Sequence, residues 1–358
     1  MQVNQVLVSA SLGDAVTNAA FELRAMLRRV APSDIYARYI DPRIMDDVLL
    51  LRRYDRRASH RPERDLLILH ASIGEPELFR FLRHRPERLV VVYHNVSPAE
   101  SFLPYDPAFA GLLEEGRREL AVLAQRAVMA LAVSEFNAAE LRSMGFADVR
   151  VSPLVVDVAR LQAIEPDPAT VNHLQGLDGP VVLFVGQLLP HKRPDLLLMA
   201  HHVLATYLVP EAHLILVGAP RLPRYQQGLQ LFLQDLNLTR AWITGSVTPE
   251  ALAAFYRHAS MFVTLSEHEG FCVPLLEAMG FSLPVLARAC PAIPETLGHG
   301  GLLLPEDGDP LLVAEAVAEV LDNDRLRADL VSRGQIRLGD FDPDAARARL
   351  VENLLSVI

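Results

Sequence analysis

Short apolar segments with the character of β-strands alternate with helical segments along the whole 358-residue chain. This alternation is typical of α/β domains, in which a helix crosses back over a parallel sheet after each strand. The chain is longer than one ordinary domain, and 51% of its residues are apolar, so each half can bury a core. The sequence therefore predicts an α/β protein with two parallel sheets.

In the first half, apolar runs predict five strands, and the stretches between them carry helical periodicity. Ser134 stands where a helix N-cap is expected, and Gly145 stands where that helix would end in a left-handed residue. The predicted strands are 3–9, 65–69, 88–93, 128–133 and 147–151, and the predicted helices are 15–30, 108–127 and 135–144.

A stretch rich in proline and glycine at 159–180 indicates a linker, after which the alternation starts again. We expect Rossmann-like domains at 1–165 and 166–340, facing each other, with a helix at 341–358 that returns to the first domain. The predicted strands of the second half are 181–185, 213–217, 241–244, 261–265 and 284–287. Its predicted helices are 194–208, 223–236, 249–258, 273–281, 310–322, 325–337 and 343–357.

Composition argues against several classes of protein. A net charge of −10 disfavours general nucleic-acid binding. Residues 24–88 hold 15 arginines against 10 acidic residues, which favours a solvated helical face over a contact with an anionic acceptor or a membrane surface. The sequence has no apolar run of transmembrane length, its start does not look like a signal peptide, and Cys272 and Cys290 suit a reducing cytoplasm.

Lys192 is the only lysine in a chain that uses arginine at every other basic position. It lies with Gly186, Gln187 and Arg193 in the segment between a predicted strand and the next helix. A compact ammonium beside the free N–H groups of a helix start suits a diphosphate. The alternative, which we consider weaker, is a solvated cation in a loop.

The segment from Ser266 to Glu277 has two carboxylates eight residues apart, Glu269 in a predicted loop and Glu277 in the helix that follows. Carboxylates that accept bonds from hydroxyls, flanking main-chain amides that donate to phosphates, suit a sugar nucleotide. A metal-binding pair is less favoured because no further carboxylate lies nearby. A loop with capping carboxylates is the third interpretation. The amides in question belong to Gly270, Phe271, Cys272 and Val273.

Two further candidates follow predicted strands of the first half. Gly13 and Asp14 come after the first strand, where a glycine lets the backbone approach a phosphate or sugar, or merely closes a tight turn. His94 follows strand 88–93, where an imidazole can bind a sugar hydroxyl or transfer a proton near neutral pH. With 12 histidines in the chain, a structural role for His94 is an equal alternative.

Taken together, these motifs resemble the retaining glycosyltransferase family four, which has the B-type fold of two facing Rossmann-like domains. The resemblance covers nearly the whole chain. The segments that carry it are GDA at 13–15, YHNVSPAESF at 93–102, SEFNAAEL at 134–141, VGQLLPHKRPDLLL at 185–198, SEHEGFCVPLLEAM at 266–279 and AIPETLGHGGLLL at 292–304.

The resemblance implies a role for each matching residue. Gly13 would approach the donor diphosphate and sugar, and His94 would contact the transferred sugar. Lys192 would neutralise the leaving diphosphate, Glu269 would bind sugar hydroxyls, and Glu277 would bind the ribose. The amides of residues 270–273 would hold the sugar and phosphate.

Gln187 is a departure from the family, which usually has an arginine there that shares the diphosphate charge. We hypothesise that Arg193 compensates in part. The expected activity is transfer of a hexose from a UDP- or GDP-sugar to a glycan or lipid-linked acceptor, in the cytoplasm, without a metal or other cofactor. A sugar-nucleotide epimerase and a catalytically silent nucleotide-sugar-binding subunit are the alternatives.

Overall fold

The chain forms two compact units in the computed structural model, which describes residues 1–57 and 62–357. The first unit comprises Met1–Val155 and Pro343–Ile358, and the second comprises Val156–Asp342. The first unit thus ends earlier than the expected boundary at 165. The reason is that the helix beginning at Val158 packs within the second unit, where the methyl groups of Val158 leave no room for a side chain at Gly280.

The first unit is a parallel seven-stranded sheet in the order β3-β2-β1-β4-β5-β6-β7, with helices between the strands. Its elements up to residue 155 are β1 Val3–Ala10, α1 Ala15–Leu27, β2 Ile35–Ile40, β3 Leu49–Leu50, β4 Leu66–Ala71, α2 Pro76–Arg83, β5 Arg88–Tyr93, α3 Pro107–Leu123, β6 Ala127–Ala132, α4 Glu135–Ser143 and β7 Val149–Val151. Short 3₁₀ segments lie at Pro42–Ile44, Leu51–Arg57, Pro62–Arg64 and Ala99–Ser101.

The second unit is a parallel six-stranded sheet in the order β10-β9-β8-β11-β12-β13. Its elements are α5 Val158–Gln162, α6 Pro168–Gln175, β8 Val181–Val185, α7 Pro194–Val203, β9 His213–Val217, α8 Pro223–Asp235, β10 Ala241–Gly245, α9 Pro249–His258, β11 Met261–Thr264, α10 Val273–Gly280, β12 Val285–Arg288, α11 Ile293–Leu297, β13 Leu302–Leu304, α12 Pro310–Asp322 and α13 Asp324–Leu338. A π-helical turn at Leu204–Leu208 extends α7, and 3₁₀ segments lie at Pro190–Lys192 and Gly339–Phe341.

The last helix, α14 at Pro343–Leu355, belongs to the first unit. Leu354 is buried in a core cluster that includes Val3, Leu66 and Val90. At the surface, the Arg347 guanidinium contacts the Glu22 carboxylate at 2.7 Å. The helix therefore contributes apolar surface and an ion pair to a sheet formed by residues far earlier in the chain.

The alternation of strands and helices predicted from the sequence is confirmed, with two kinds of omission. The expected linker at 159–180 contains α5 and α6, because Asp157 and Asp167 cap helices there and Pro168 occupies a first-turn position instead of breaking the chain. The sequence pattern also failed to indicate the short elements β2, β3, β13, α2 and α11.

Both sheets reverse their strand order at one place, between β1 and β4 in the first unit and between β8 and β11 in the second. In parallel α/β sheets, ligands bind at such a switch point, outside the carboxyl ends of the strands. The segments that follow β1, β4, β8 and β11 are therefore the places where a site is expected.

Candidate functional site

In the second unit, the backbone after β8 packs closely against the backbone after β9. The Gly186 amide donates to the Val217 carbonyl at 2.9 Å, and a Cβ atom on Gly218 would lie 1.8 Å from the Gly186 oxygen. Gly218 also has φ +154°. Glycine at 218 is thus required for this close approach, which directs residues 187–193 away from the sheet edge.

A 3₁₀ turn at Pro190–Lys192 then leads into α7, and it fixes the position of the only lysine. Arg193 has the left-handed conformation, with φ 51°, and Pro194 begins the helix. The Glu267 amide donates to the His191 carbonyl at 2.8 Å, which joins this turn to the segment after β11. The two segments at the switch point are therefore held together by the main chain.

Lys192 and Glu269 meet across these joined segments. The Lys192 ammonium lies 2.5 Å from the Glu269 carboxylate, and their side chains are 20% and 6% exposed. The Ser266 hydroxyl also donates to the Glu269 carboxylate, at 2.7 Å. Burial is the largest single influence and acts to lower the pKa of Lys192, but the opposing contributions, led by the Glu269 carboxylate, together raise this pKa, so the ammonium keeps its charge.

Helix α10 begins at Val273, four residues after Glu269, and has no side-chain cap. Its N-cap residue, Cys272, is in the left-handed conformation with φ 67°. In the described part of the chain, the main-chain N–H groups of residues 270–273 have no hydrogen-bond partner. Free N–H groups at a helix start attract anionic oxygens, and here they lie in sequence directly after the carboxylate that binds Lys192.

Glu277 lies in the second turn of α10 and contacts α9. The hydroxyl of the fully buried Tyr256 donates to the Glu277 carboxylate at 2.7 Å. Burial raises the pKa of Glu277, while the bond from Tyr256 acts in the opposite direction. The hydrogen bond therefore orients a half-buried carboxylate and favours its charged form.

Arg193, the proposed substitute for the missing arginine at 187, is already paired. Its guanidinium contacts the Asp195 carboxylate at 3.0 Å and also contacts Glu267. Arg288 approaches the same Glu267 carboxylate at 3.3 Å. A phosphate ligand role for Arg193 stays a prediction, and this pairing weakens the hypothesis because two carboxylates already neutralise the guanidinium.

In the first unit, Gly13 and Asp14 form the turn between β1 and α1. Gly13 has φ +77°, and a Cβ atom there would meet nothing within 4 Å, so the conformation and not the space favours glycine. The Asp14 carboxylate accepts from the Thr17 amide at 3.0 Å as the N-cap of α1. Asp14 thus occupies the helix start, where we had expected a donor phosphate to be bound.

His94 follows β5 and lies against a second histidine. Its Nε2 atom is 2.9 Å from Nδ1 of His70, and Nε2 of His70 is 2.8 Å from the Gln5 side-chain oxygen. Burial lowers the pKa of His94 to about 4 and places that of His70 well below its ordinary value. Both rings are therefore neutral near pH 7.

The residue after His94 is fixed by a polar network. Asn95 has φ 80°, and its side-chain amide donates to Glu140 at 3.0 Å and to Asn137 at 2.8 Å. The Tyr93 hydroxyl and the Arg117 guanidinium also contact Glu140, at 3.1 and 2.6 Å. One carboxylate from α4 thus holds the backbone turn that follows His94.

The second unit brings Lys192 and Glu269 into contact and places Glu277 on the adjoining helix, whereas Gly13, Asp14 and His94 belong to the first unit. The sequence did not single out Gln5, His70 or Tyr256. His70 could have been found from its position at the carboxyl end of the strand next to β5. Tyr256 lies on a separate helix, and no local pattern indicates its contact with Glu277.

Within residues 1–57 and 62–357, the structure shows no group of three potential metal ligands. None of the described helices combines the length and apolar character needed to cross a membrane.

Known proteins resemble this chain in fold over nearly its whole length and in sequence over parts of it. Residues 171–337, most of the second unit, match the model of the family described as glycosyl transferases group 1.

The fold is similar to that of solved glycosyltransferases over nearly the whole chain. Its two parallel sheets with flanking helices have the architecture of the B-type glycosyltransferase fold. HepE of Anabaena in complex with UDP-glucose superposes with a TM-score of 0.78 at 17% identity, over 99% of this chain and all of that one. WaaG, a glycosyltransferase involved in lipopolysaccharide biosynthesis, superposes with a TM-score of 0.70 at 16% identity, over 96% and 98%.

Two relatives are similar in sequence. A D-inositol 3-phosphate glycosyltransferase of Acidothermus cellulolyticus is 34% identical over 199 residues, which cover 52% of this chain and 43% of the relative. The O-antigen chain mannosyltransferase B of Escherichia coli is 26% identical over 271 residues, 73% of this chain and 68% of the relative. The chain spans less than half the length of the D-inositol 3-phosphate glycosyltransferases that it matches. The match to the glycosyl transferases group 1 family thus lies within the second unit.

Proposed function

We propose that this chain is a retaining glycosyltransferase that moves a hexose from a nucleotide-diphosphate sugar to a glycan or lipid-linked acceptor without a metal. The observation that carries the proposal is the buried Lys192–Glu269 pair beside the free amides that open α10. This arrangement offers a cation and N–H donors to a diphosphate, and carboxylate oxygens to hydroxyls. The relatives named above are glycosyltransferases, and HepE binds UDP-glucose, which supports the same class of donor.

In this reaction the bond from the anomeric carbon to the phosphate oxygen breaks, and a bond to the acceptor oxygen forms. Positive charge develops on the sugar ring and negative charge on the departing diphosphate. Lys192 and the amides of residues 270–273 would stabilise the diphosphate. For retention, we propose attack on the same face of the sugar, with the acceptor's proton passing to the leaving phosphate.

The charges around this site would make donor binding an exchange of partners. Lys192 is neutralised by Glu269, and Arg193 and Arg288 by Asp195 and Glu267. An incoming diphosphate would therefore compete with Glu269 for the ammonium, while hydroxyls of the sugar donate to Glu269 instead. The fixed amides, which need no such exchange, would supply the rest of the stabilisation, and glutamine at 187 adds no charge to it.

A thermal-shift panel of UDP-, GDP- and ADP-sugars, each with EDTA, tests the proposal and identifies the base. A ligand at about 100 times its Kd stabilises the folded state by about 2.7 kcal/mol. We expect one nucleotide class to raise the Tm with EDTA present, and slow donor hydrolysis that Lys192→Ala abolishes. Arg118→Ala, at an exposed residue of the first unit, is the control and should hydrolyse the donor at the normal rate.

Three outcomes would contradict the proposal. Donor binding without hydrolysis or transfer would favour a silent nucleotide-sugar-binding subunit. Conversion of the donor to an epimer would favour an epimerase, and loss of the thermal shift in EDTA would indicate a metal. The configuration of the product's new glycosidic bond, read by NMR, tests retention separately.

A contact of the Arg-rich region 24–88 with an anionic membrane surface stays a prediction. Several of its arginines are paired with carboxylates: Arg24 with Asp47, Arg28 with Asp34, Arg43 with Asp41, and Arg85 with Asp55 and Glu87. These pairs favour the solvated face that the sequence indicated, because they reduce the potential available to anionic lipids.

A further inference from the structure

Gln5, His70 and His94 form a line of hydrogen-bonded side chains across three adjacent strands of the first unit. Gln5 lies on β1, His70 near the end of β4, and His94 directly after β5. Gln5 and His70 are 0% and 1% exposed, while His94 at the end of the line is half-buried. The line therefore runs from the core to a ring that ligands can reach.

The direction of these bonds fixes where the protons lie. The Gln5 oxygen is an acceptor, so Nε2 of His70 must carry a hydrogen. Nδ1 of the neutral His70 ring is then an acceptor, and Nε2 of His94 must donate to it. Since His94 is neutral as well, its remaining nitrogen, Nδ1, bears a lone pair.

We propose that His70 is a positioning residue that holds His94 as the tautomer protonated at Nε2, so that Nδ1 accepts a hydrogen bond from a hydroxyl of the donor sugar. The part that concerns the sugar rests on the proposed function. The tautomer itself does not, because it follows from contacts made within the first unit. Among the described residues, none forms a hydrogen bond with Nδ1 of His94.

Two features support a fixed orientation of the ring. The His94 amide donates to the Ala71 carbonyl at 2.9 Å, so β4 holds both the backbone and the imidazole of this residue. The two imidazoles lie edge to edge and nearly in one plane, with centroids 5.1 Å apart and planes 19° from parallel, which suits a hydrogen bond between their ring nitrogens. Rotation of either ring out of this plane would break the hydrogen bond between them.

Two substitutions at one position separate the role of His70 from its bulk. In His70→Asn, the amide occupies roughly the place of Nδ1 and can still bond to His94. In His70→Gln, the amide occupies roughly the place of Nε2, so it keeps the bond to Gln5 and loses the bond to His94. The two variants are similar in polarity and differ mainly in which neighbour they can reach.

The readout is the ¹⁵N spectrum of the full chain labelled at histidine, with the His94 signals assigned by their loss in His94→Asn. We expect the Nε2-protonated tautomer in the native chain, in His70→Asn and in Gln5→Glu, which keeps an acceptor for His70. In His70→Gln we expect a mixture of tautomers. With the donor identified by thermal shift, kcat should fall about tenfold in His70→Gln, the equivalent of one hydrogen bond, and less than threefold in His70→Asn.

Protonation of His94 at Nδ1 in the native chain, which a rotated Gln5 amide would produce, would overturn the proposal. So would an unchanged tautomer in His70→Gln. If no sugar nucleotide is hydrolysed or transferred, the proposed function fails, while the spectra still decide whether the tautomer is held. Should His70→Gln not fold, Gln5→Leu removes the terminal acceptor and must give the same mixture of tautomers.

Discussion

A double-mutant cycle at Lys192 and Glu269 would measure how strongly the two segments at the switch point depend on each other. The variants are Lys192→Met, Glu269→Gln and the double substitution. Methionine keeps most of the lysine's apolar stem, and glutamine keeps the carboxylate's shape. Each single variant therefore leaves one buried charge without its partner and changes little else.

The magnitudes follow from the burial of the two groups. In Lys192→Met, a carboxylate only 6% exposed keeps the Ser266 hydroxyl as its side-chain donor, and such a loss costs about 3–5 kcal/mol. In Glu269→Gln, the ammonium is 20% exposed and can reach water, so we expect a loss of about 1–3 kcal/mol. The double variant buries no charge, and a coupling energy of about 2–3 kcal/mol should result.

The chain provides a local probe for this cycle. Trp242 is the only tryptophan and lies on β10, so its fluorescence during urea unfolding reports on the second unit alone. This matters because a chain of two units need not unfold in one step. Lys192→Arg, which keeps the charge, is the matched control and should lose less free energy of unfolding than Lys192→Met.

The pH dependence gives a second test with a defined sign. The folded pKa of Lys192 is raised above the ordinary lysine value of 10.5, so its contribution is complete below that pH and is lost as the pH rises through the folded pKa. The coupling energy should therefore be the same at pH 6 and pH 9. A coupling below about 0.5 kcal/mol, or Lys192→Met as stable as the native chain, would refute the reasoning.

Three other substitutions test separate contacts. Tyr256→Phe removes the hydroxyl bonded to a carboxylate and should cost about 1.5–3 kcal/mol by tryptophan fluorescence, with weaker donor binding; an unchanged urea midpoint would contradict the assigned bond. Gly74→Ala would place a Cβ atom 2.3 Å from a backbone oxygen and should destabilise the first unit in hydrogen exchange, whereas Gly111→Ala, in a helix with open space, should stabilise it by roughly 0.5–1 kcal/mol. Leu354→Ala should cost about 2–5 kcal/mol of the first unit's stability in hydrogen exchange, and the exposed Leu355→Ala under 0.5 kcal/mol. Equal losses would mean that α14 is not part of the core of the first unit.

The fold could be predicted largely because buried parallel strands give continuous apolar runs, such as 181–185 and 213–217, which the structure reproduces at both ends. The strand β2 was missed because Arg38 interrupts its short apolar run, in a region rich in arginine. The helices α5 and α6 were missed because aspartate and proline were taken as signs of a linker, although both are also typical of helix starts.

The candidate site was predictable where a motif is local, and not where a contact spans the chain. Lys192 and Glu269 belong to motifs that follow strands, and they meet in the structure. Gln5 and His70 are 65 residues apart in sequence, and nothing near either one indicates their bond. The pairing of Arg193 with Glu267 was hidden in the same way, because an arginine in a sequence does not reveal which carboxylate it contacts.

The position of α14 has a consequence for how the protein is made. The second unit is a continuous segment, Val156–Asp342, so a ribosome releases everything that it needs before the last helix emerges. The first unit, although synthesised first, still lacks Leu354 and its apolar neighbours at that moment. Of the two units, the one synthesised earlier is therefore the one completed later, and nascent chains arrested before residue 343 should contain a native second unit and an unfinished first one.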